Sequence, residues 1–319
     1  VTPRLDAGLA APAALFAHAF RRAVALYALS PEAIVAKGAI HLPVGEKDPT
    51  RFAAIAGSDL FEPAALRLAG APETTARLGE TAPAGLIVET ALVVEPATLL
   101  AAWSGEVHRL RVAAVERRGE AWELVGDDGE PLGAFDTVCL AAGMGSALLA
   151  PGLALAPVRG QASIAQGPRP PVAGLFGAYA IPIRQGVMFG ATHDRDDEDA
   201  RPRAGDHRRN LQSLARGLPA LAARLADARL EAHTAIRATT RDYLPLAGAL
   251  GAAQPGLLVL SGLGSRGFTL APLLGEHLAA LIVGAASPLP RDLAALVEPA
   301  RFARRARRAG RLGSGGFAV

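Results

Sequence analysis

The chain has 319 residues, half of them hydrophobic and 20% charged. This excludes global disorder and leaves apolar material for two lobes of the usual roughly 100 to 200 residues. Lys and Arg number 33 against 30 Asp and Glu, a net charge of +3 that excludes nucleic-acid binding by bulk charge, so any such contact must be local. The single cysteine, Cys139, excludes an internal disulfide framework and a thiolate metal cluster and fits a reducing, cytoplasmic compartment.

The first residue is Val1, and the chain runs almost at once into a helical pattern, so a preceding segment is expected. No apolar window of about 18 residues or more stands out, and neither a membrane span nor a membrane partner is expected. Over 13–28, Leu15, Phe16, Ala19, Phe20, Ala23 and Leu26 recur at helical spacing with Arg21 and Arg22 opposite, predicting an amphipathic helix that ends near Ser30 and Pro31. Short runs at 39–43, 85–88 and 93–96 predict strands with brief helices between them. Segments 107–116 and 121–125, followed by the turn Gly126-Asp127-Asp128-Gly129, predict a small antiparallel meander. The run DTVCLAAG suits a buried strand of a parallel sheet over 135–142. Strand-like pieces resume over 157–190, and Leu211, Leu214, Leu218, Leu221 and Leu225 give helical periodicity over 206–226. The last third predicts a buried strand at 256–261, a glycine-rich loop, and a helix over about 271–283.

Three stretches carry the chemistry. The loop with Gly262, Gly264 and Gly267 around Ser265 and Arg266 lies between a strand and a helix, where backbone can approach a flat or anionic ligand beside a positive helix N-terminus. Gly143 and Gly145 end the 136–146 stretch in a similar strand-to-glycine exit. Arg237, Arg241, Asp242 and Tyr243 stand about 20 residues before the Gly262 loop, and Arg is the residue that grips a carboxylate in a bidentate fork. For each the bland alternative is a chain turn or a solvated charge cluster. The Arg201, Arg203, Arg208 and Arg209 group and the tail arginines Arg301, Arg304, Arg305, Arg307, Arg308 and Arg311 are phosphate-contact candidates, although an ordinary solvated face is the better prior. His193 reads as a surface group.

The combination of VRGQ at 158–161, GAT at 190–192, RATTRDYLP at 237–245, GLGSRGFTLAPL at 262–273 and EPARF at 298–302 resembles the D-amino-acid-oxidase-like flavoenzymes. Within them it is most similar to the oxidoreductase half of the bifunctional tRNA 5-methylaminomethyl-2-thiouridine biosynthesis family; PRLDAG at 3–8 resembles the segment after that family's first nucleotide-binding unit. The resemblance covers nearly the whole chain. It implies a mixed α/β fold: a glutathione-reductase-like FAD lobe, here lacking its first βαβ unit, interwoven with a substrate lobe on an antiparallel sheet. The expected segments are 1–35, 91–157 and 246–319 for the FAD lobe, and 36–90 and 158–245 for the substrate lobe.

The implied cofactor is FAD, and the implied reaction, at a CH–NH group, removes the carboxymethyl group from 5-carboxymethylaminomethyl-(2-thio)uridine at the tRNA wobble position, leaving the aminomethyl form and glyoxylate. The implied partners are tRNA and an S-adenosylmethionine-dependent methyltransferase domain, fused or separate. The resemblance places Val112, Ala142, Gly143, Gly262, Gly264, Ser265, Arg266, Gly267 and Phe268 against the cofactor. It places Arg237, Tyr179 and Arg266 in the catalytic site, and Arg237, Arg241, Tyr179 and Arg4 on the substrate. No GxGxxG opens the chain, which is expected to be part of a longer protein. The alternatives are a small-molecule amine, D-amino-acid or glycine oxidase or dehydrogenase of the same fold, and a non-catalytic fragment serving as an RNA-binding module.

Overall fold

The computed structural model describes residues 1–308 and divides into two compact units, each built from three chain segments. The first comprises Val1–Ser104, Arg159–Ile236 and Phe268–Leu270; the second comprises Gly105–Val158, Arg237–Gly267 and the chain from Ala271. The interweaving and the mixed α/β class are those expected. The unit boundaries differ from the expected lobes: 1–35 and 91–104 lie in the first unit with 36–90, and 237–245 lies in the second.

The reason for the first difference is one strand. Gly85–Val94 is continuous where two short strands were expected, because Glu89 and Thr90 interrupt the apolar run without ending the ladder. It pairs antiparallel with Ile34–His41, and register shifts between Ile34 and Ala36 and between Lys37 and Ala39 absorb the irregularity. The Leu92 N–H donates to the Val1 carbonyl at 3.2 Å, which ties Val1 to the same strand.

The strands form a nine-stranded sheet. Its order runs Asp194–Arg195, Ala156–Gln166, Gly186–Gly190, Tyr179–Ile183, Ala173–Leu175, Ile34–His41, Gly85–Val94, Leu66–Ala69, with Leu230–Thr239 also pairing Ala156–Gln166. Ile34–His41 runs parallel to Ala173–Leu175, whereas the ladders Gly186–Gly190 makes with its two neighbours are antiparallel. Strand alternation divides the core of the first unit between two faces. Leu86 and Val88 join Phe20 of helix Ala11–Tyr27 and Phe52 and Ile55 of helix Asp48–Ala56, while Ile40 and Ile87 join Leu214, Leu218, Leu221 and Leu225. The helical stretch expected over 206–226 is two helices, Ala204–Gly217 and Pro219–Arg224. Leu218 leaves helical geometry at φ −135° because the residue before a proline disfavours it.

The second unit holds two three-stranded sheets. One is the expected meander, Val112–Arg118, Ala121–Gly126 and Pro131–Phe135. In the other, Leu257–Ser261 lies between Leu246–Ala249, antiparallel, and Val138–Leu140, parallel. The latter strand is shorter than expected, and Cys139 is exposed, not buried. Trp122, Leu140, Leu246, Leu257 and Val259 pack as one cluster, and the Trp122 indole N–H is satisfied by the Pro255 carbonyl at 2.8 Å. Helix Gly267–Val283 begins four residues before the expected 271, directly at the glycine loop. With its leading turn, Gly264–Val283 is long and apolar enough to cross a membrane by length and composition, an apolar window the sequence reading did not pick out. Leu270, Leu273, Leu274 and Leu278 account for much of that apolarity as buried positions. Helix Arg301–Arg308 follows, whereas Arg311 and the Gly/Ser end lie outside the described residues.

Candidate functional site

The two glycine exits leave the same edge of the second unit's parallel strand pair. Leu257, Leu258 and Val259 lie opposite Val138, Cys139 and Leu140, so both chains emerge at the carboxyl ends of adjacent strands. In open α/β sheets this is where ligands bind. Each exit then repeats one design: a glycine at positive φ, a 3₁₀ turn (Gly143–Gly145 or Gly264–Arg266), and a helix. The Ser261 hydroxyl ties the exits together by donating to the Gly143 carbonyl at 2.9 Å.

The glycines divide by what surrounds them. A Cβ on Gly143 would meet nothing within 4 Å, and one on Gly264 only the Thr239 methyl at 3.6 Å, so open space stands beside both. Gly262, at φ +69°, is packed instead: a Cβ there would come within 2.9 Å of the Thr240 methyl. Gly262 is therefore a packing glycine, and Gly143 and Gly264 are the two that leave backbone accessible to a ligand. Ala142 and Ser265 are exposed, Arg266 and Gly267 half-buried. Helix Gly267–Val283 has no side-chain cap at its start, so its first-turn N–H groups remain directed at that space with the positive end of the helix dipole. Gly262, Gly264 and Gly267 also have G-x-G-x-x-G spacing after a strand and before a helix, a signal the sequence reading passed over. These features suit a flat ligand with anionic or carbonyl oxygens. Val112, the first residue of the meander, is half-buried opposite Gly126.

Arg237 is half-buried on strand Leu230–Thr239. Alternation puts it on the strand face of Thr239, whose methyl looks toward Gly264, so Arg237 belongs to the same neighbourhood as the open glycine turn. Thr240, two residues before Asp242, was missed by the sequence reading. Its hydroxyl donates to the Leu244 carbonyl at 2.6 Å while its methyl packs on Gly262. Arg241 is exposed on the turn that follows. Asp242 is engaged by Arg301, whose Nε and Nη2 grip its two oxygens at 3.0 Å each and whose remaining N–H groups reach the carbonyls of Leu244, Val297 and Glu298. Burial alone would raise the Asp242 pKa, but the hydrogen bonds and charge of Arg301, with Arg305 and Thr240, outweigh it and bring it down to about 2. The TRD and EPARF motifs are thus two halves of one ion pair.

This corrects the reading of Arg301. Arg301 is only 2% exposed with its donors consumed, so it is not a phosphate contact; Arg304 pairs with Glu298, and Arg305 with Asp242. In the other group Arg201 pairs with Asp199, Arg203 with Asp197 and Asp199, and Arg209 with Asp194 and Asp206, while Arg208 is exposed. Beneath that group lies fully buried Arg159, bonded to Asp206, to Gln161 and to the carbonyls of Asp199 and Arg201. Asn210 and His207 complete a buried polar face on Gln161 and Ser163. In the first unit Tyr179 is half-buried and pairs across its ladder with Gly190. Arg4 lies over the Phe16 ring at 5.2 Å, a cation–π contact that gives it a packing role. Phe268, grouped with the first unit, is exposed, and its carbonyl accepts the Tyr27 hydroxyl at 2.8 Å.

Strand-end glycine turns and an interwoven antiparallel sheet are features of a nucleotide-binding class of fold. Residues 4–281 match the family described as FAD dependent oxidoreductase (DAO), and the chain belongs to that family. It is 54% identical over 306 residues to the "tRNA 5-methylaminomethyl-2-thiouridine biosynthesis bifunctional protein MnmC" of Caulobacter sp., covering 96% of this chain and 51% of that protein. The same-named protein of Caulobacter vibrioides is 52% identical, covering 95% of this chain and 50% of the relative. The chain spans about half the length of these curated relatives. Among solved structures, glycine oxidase from Geobacillus kaustophilus superposes with a TM-score of 0.76 at 22% identity, covering 93% of this chain and 87% of that one. L-proline dehydrogenase from P. horikoshii gives a TM-score of 0.77 at 18% identity, covering 90% and 83%. These two likenesses establish the fold.

Proposed function

We propose that this chain is the oxidoreductase part of a longer tRNA-modifying protein, binding FAD and removing the carboxymethyl group from 5-carboxymethylaminomethyl-(2-thio)uridine at the wobble position. The observation that carries the reading is the joined pair of glycine exits, open at Gly143 and Gly264 beside an uncapped helix start, in a chain 54% identical to a protein named for that tRNA modification. FAD, when bound, supplies the two-electron acceptor for an amine. Backbone at Ala142, Gly143, Gly264, Ser265 and Gly267, together with Arg266, would hold it, with Val112 as a further contact.

The chain's own residues supply placement. The Arg237 guanidinium holds the substrate carboxylate, which fixes the adjacent C–N bond, with Arg241 as a further substrate contact. The secondary amine gives up two electrons and two protons, a hydride equivalent to the bound acceptor and a proton to solvent, and becomes an imine. Water then adds to the imine carbon, the C–N bond breaks, and glyoxylate leaves the aminomethyl group behind. An S-adenosylmethionine-dependent methyltransferase, fused or separate, would use that amine, and the tRNA substrate fits a cytoplasmic protein.

The test uses the purified protein extended upstream to the full coding sequence. It should show flavin absorbance near about 450 nm and oxidise tRNA carrying the modified uridine in preference to glycine, sarcosine or D-alanine. Arg237→Gln should lower kcat/KM on the tRNA by tenfold or more, about 1.4 kcal/mol or above, with flavin content retained. Turnover of the free amino acids alone would establish a small-molecule amine oxidase instead, and absence of flavin would leave a non-catalytic RNA-binding module.

A further inference from the structure

We infer that the Tyr243 turn and the arginine helix packed against it form a contact surface for single-stranded nucleic acid: Tyr243 stacks on an unpaired base, and Arg304 and Arg305 neutralise flanking phosphates. The inference rests on the tRNA reading above and specifies where on the second unit the RNA lies.

The first observation is conformational. Tyr243 sits at φ +55°, a region that bulky residues rarely enter and that costs on the order of 1 kcal/mol or more. Asn or Gly would take this backbone more cheaply, yet the turn carries an aromatic ring that is 49% exposed. The surroundings hold it there. The Tyr243 N–H donates to the Thr240 carbonyl at 3.1 Å, Thr240 bonds Leu244, and Arg301 clamps Asp242 and Leu244 on the two sides of the ring-bearing residue. The ring is therefore presented from a fixed point.

The second observation is electrostatic. Arg241 is exposed beside Tyr243, and Arg305 reaches Asp242 from helix Arg301–Arg308, so the turn and the helix share one surface. On that surface Arg301 and Arg305 pair with Asp242 and Arg304 with Glu298, so three arginines share two carboxylates. A cavity of about 230 Å³ lies there, lined by Ala295, Arg301, Arg304 and Arg305. Arg301 is committed to the clamp, which leaves Arg304 and Arg305 as the residues that would meet a phosphate. An aromatic platform beside an arginine-lined groove is the combination that binds unpaired nucleotides. An acidic peptide would use the charge without the ring, and a duplex would offer phosphates without an accessible base face.

Fluorescence anisotropy with a labelled, unmodified anticodon stem-loop RNA, a duplex RNA of equal length and a polyglutamate competitor tests this on the purified full-length protein. Tyr243→Asn should weaken stem-loop binding about tenfold, the loss of one stacked base, leave duplex binding unchanged, and raise Tm by about 2 °C through relief of the positive φ. Tyr243→Phe should bind like the wild type. The double variant Arg304→Gln/Arg305→Gln should weaken binding and reduce the slope of log K against log salt by about 1.4, two single-strand phosphate contacts. Stem-loop binding indifferent to Tyr243→Asn, an equal loss on the duplex, or competition by polyglutamate equal to that by RNA overturns the inference while leaving the tRNA reading in place. A wild-type protein that binds no RNA yet oxidises free amino acids removes both.

Discussion

Arg159 and Arg301 are built alike and used differently. Each is a buried arginine holding an aspartate that a second, outer arginine also grips: Arg159–Asp206–Arg209 in the first unit and Arg301–Asp242–Arg305 in the second. The Arg159 side chain is fully buried and Asp206 is 5% exposed, whereas Asp242 is 18% exposed. Above Arg159 the neighbouring charges cancel among themselves, Asp197 and Asp199 against Arg201 and Arg203. Around Arg301 three arginines, Arg301, Arg304 and Arg305, share the carboxylates of Asp242 and Glu298, and exposed Tyr243 stands beside them. Both belong to sequence signatures, VRGQ and EPARF, so a motif that marks a family can be scaffold in one place and the support for a surface in another.

The comparison breaks most sharply on Arg159. Arg159→Met leaves Asp206 without its innermost partner, and urea unfolding of the purified protein should show a loss of about 3–5 kcal/mol; the double variant with Asp206→Leu should recover most of it. A single variant as stable as the wild type would mean that the pair is not closed from solvent. Arg301→Gln should cost less, about 2 kcal/mol by the same measurement, because Arg305 still neutralises the more exposed Asp242. An equal or larger loss would reverse the ranking of the two triads.

The smallest effect is in pH. The folded Asp242 pKa of about 2 lies below its ordinary 3.8, so its stabilisation is complete above the unfolded value and is lost as pH falls from about 4 toward 2. Asp242→Asn should therefore be less stable at neutral pH by up to about 2 kcal/mol and show a flatter stability profile below pH 4. Parallel profiles for the two proteins would mean that Asp242 does not hold its charge against the clamp.

Much of this was legible beforehand, for identifiable reasons. The helix at Ala11–Tyr27 and the meander follow from periodicity, and the two glycine exits follow from apolar runs ending in glycine. Strand Gly85–Val94 was not legible as one piece, since two polar residues look like a break when the partner strand cannot be seen. Arg159 was missed because a lone arginine reads as surface. The available signal was Arg159, Gln161 and Ser163 at alternate positions of one strand, a polar face all of whose side chains are buried. Asp242 and Arg301 could be found only by folding, being 59 residues apart. The open space at Gly143 and Gly264 and the packed state of Gly262 depend on neighbours that spacing does not reveal.

The parallel pairing of Val138–Leu140 with Leu257–Ser261 also bears on how the molecule assembles. These strands are separated by residues 159–236, one segment of the other compact unit. A loop that long would close slowly if it stayed a random coil, but a segment that folds first shortens the effective tether between its ends. The glycine exits are then among the last features to meet during synthesis, and the ribosome must deliver Ser261 before the Gly143 carbonyl has its partner. Substitutions that slow folding of 159–236 would delay completion of the ligand cradle without touching any residue in it.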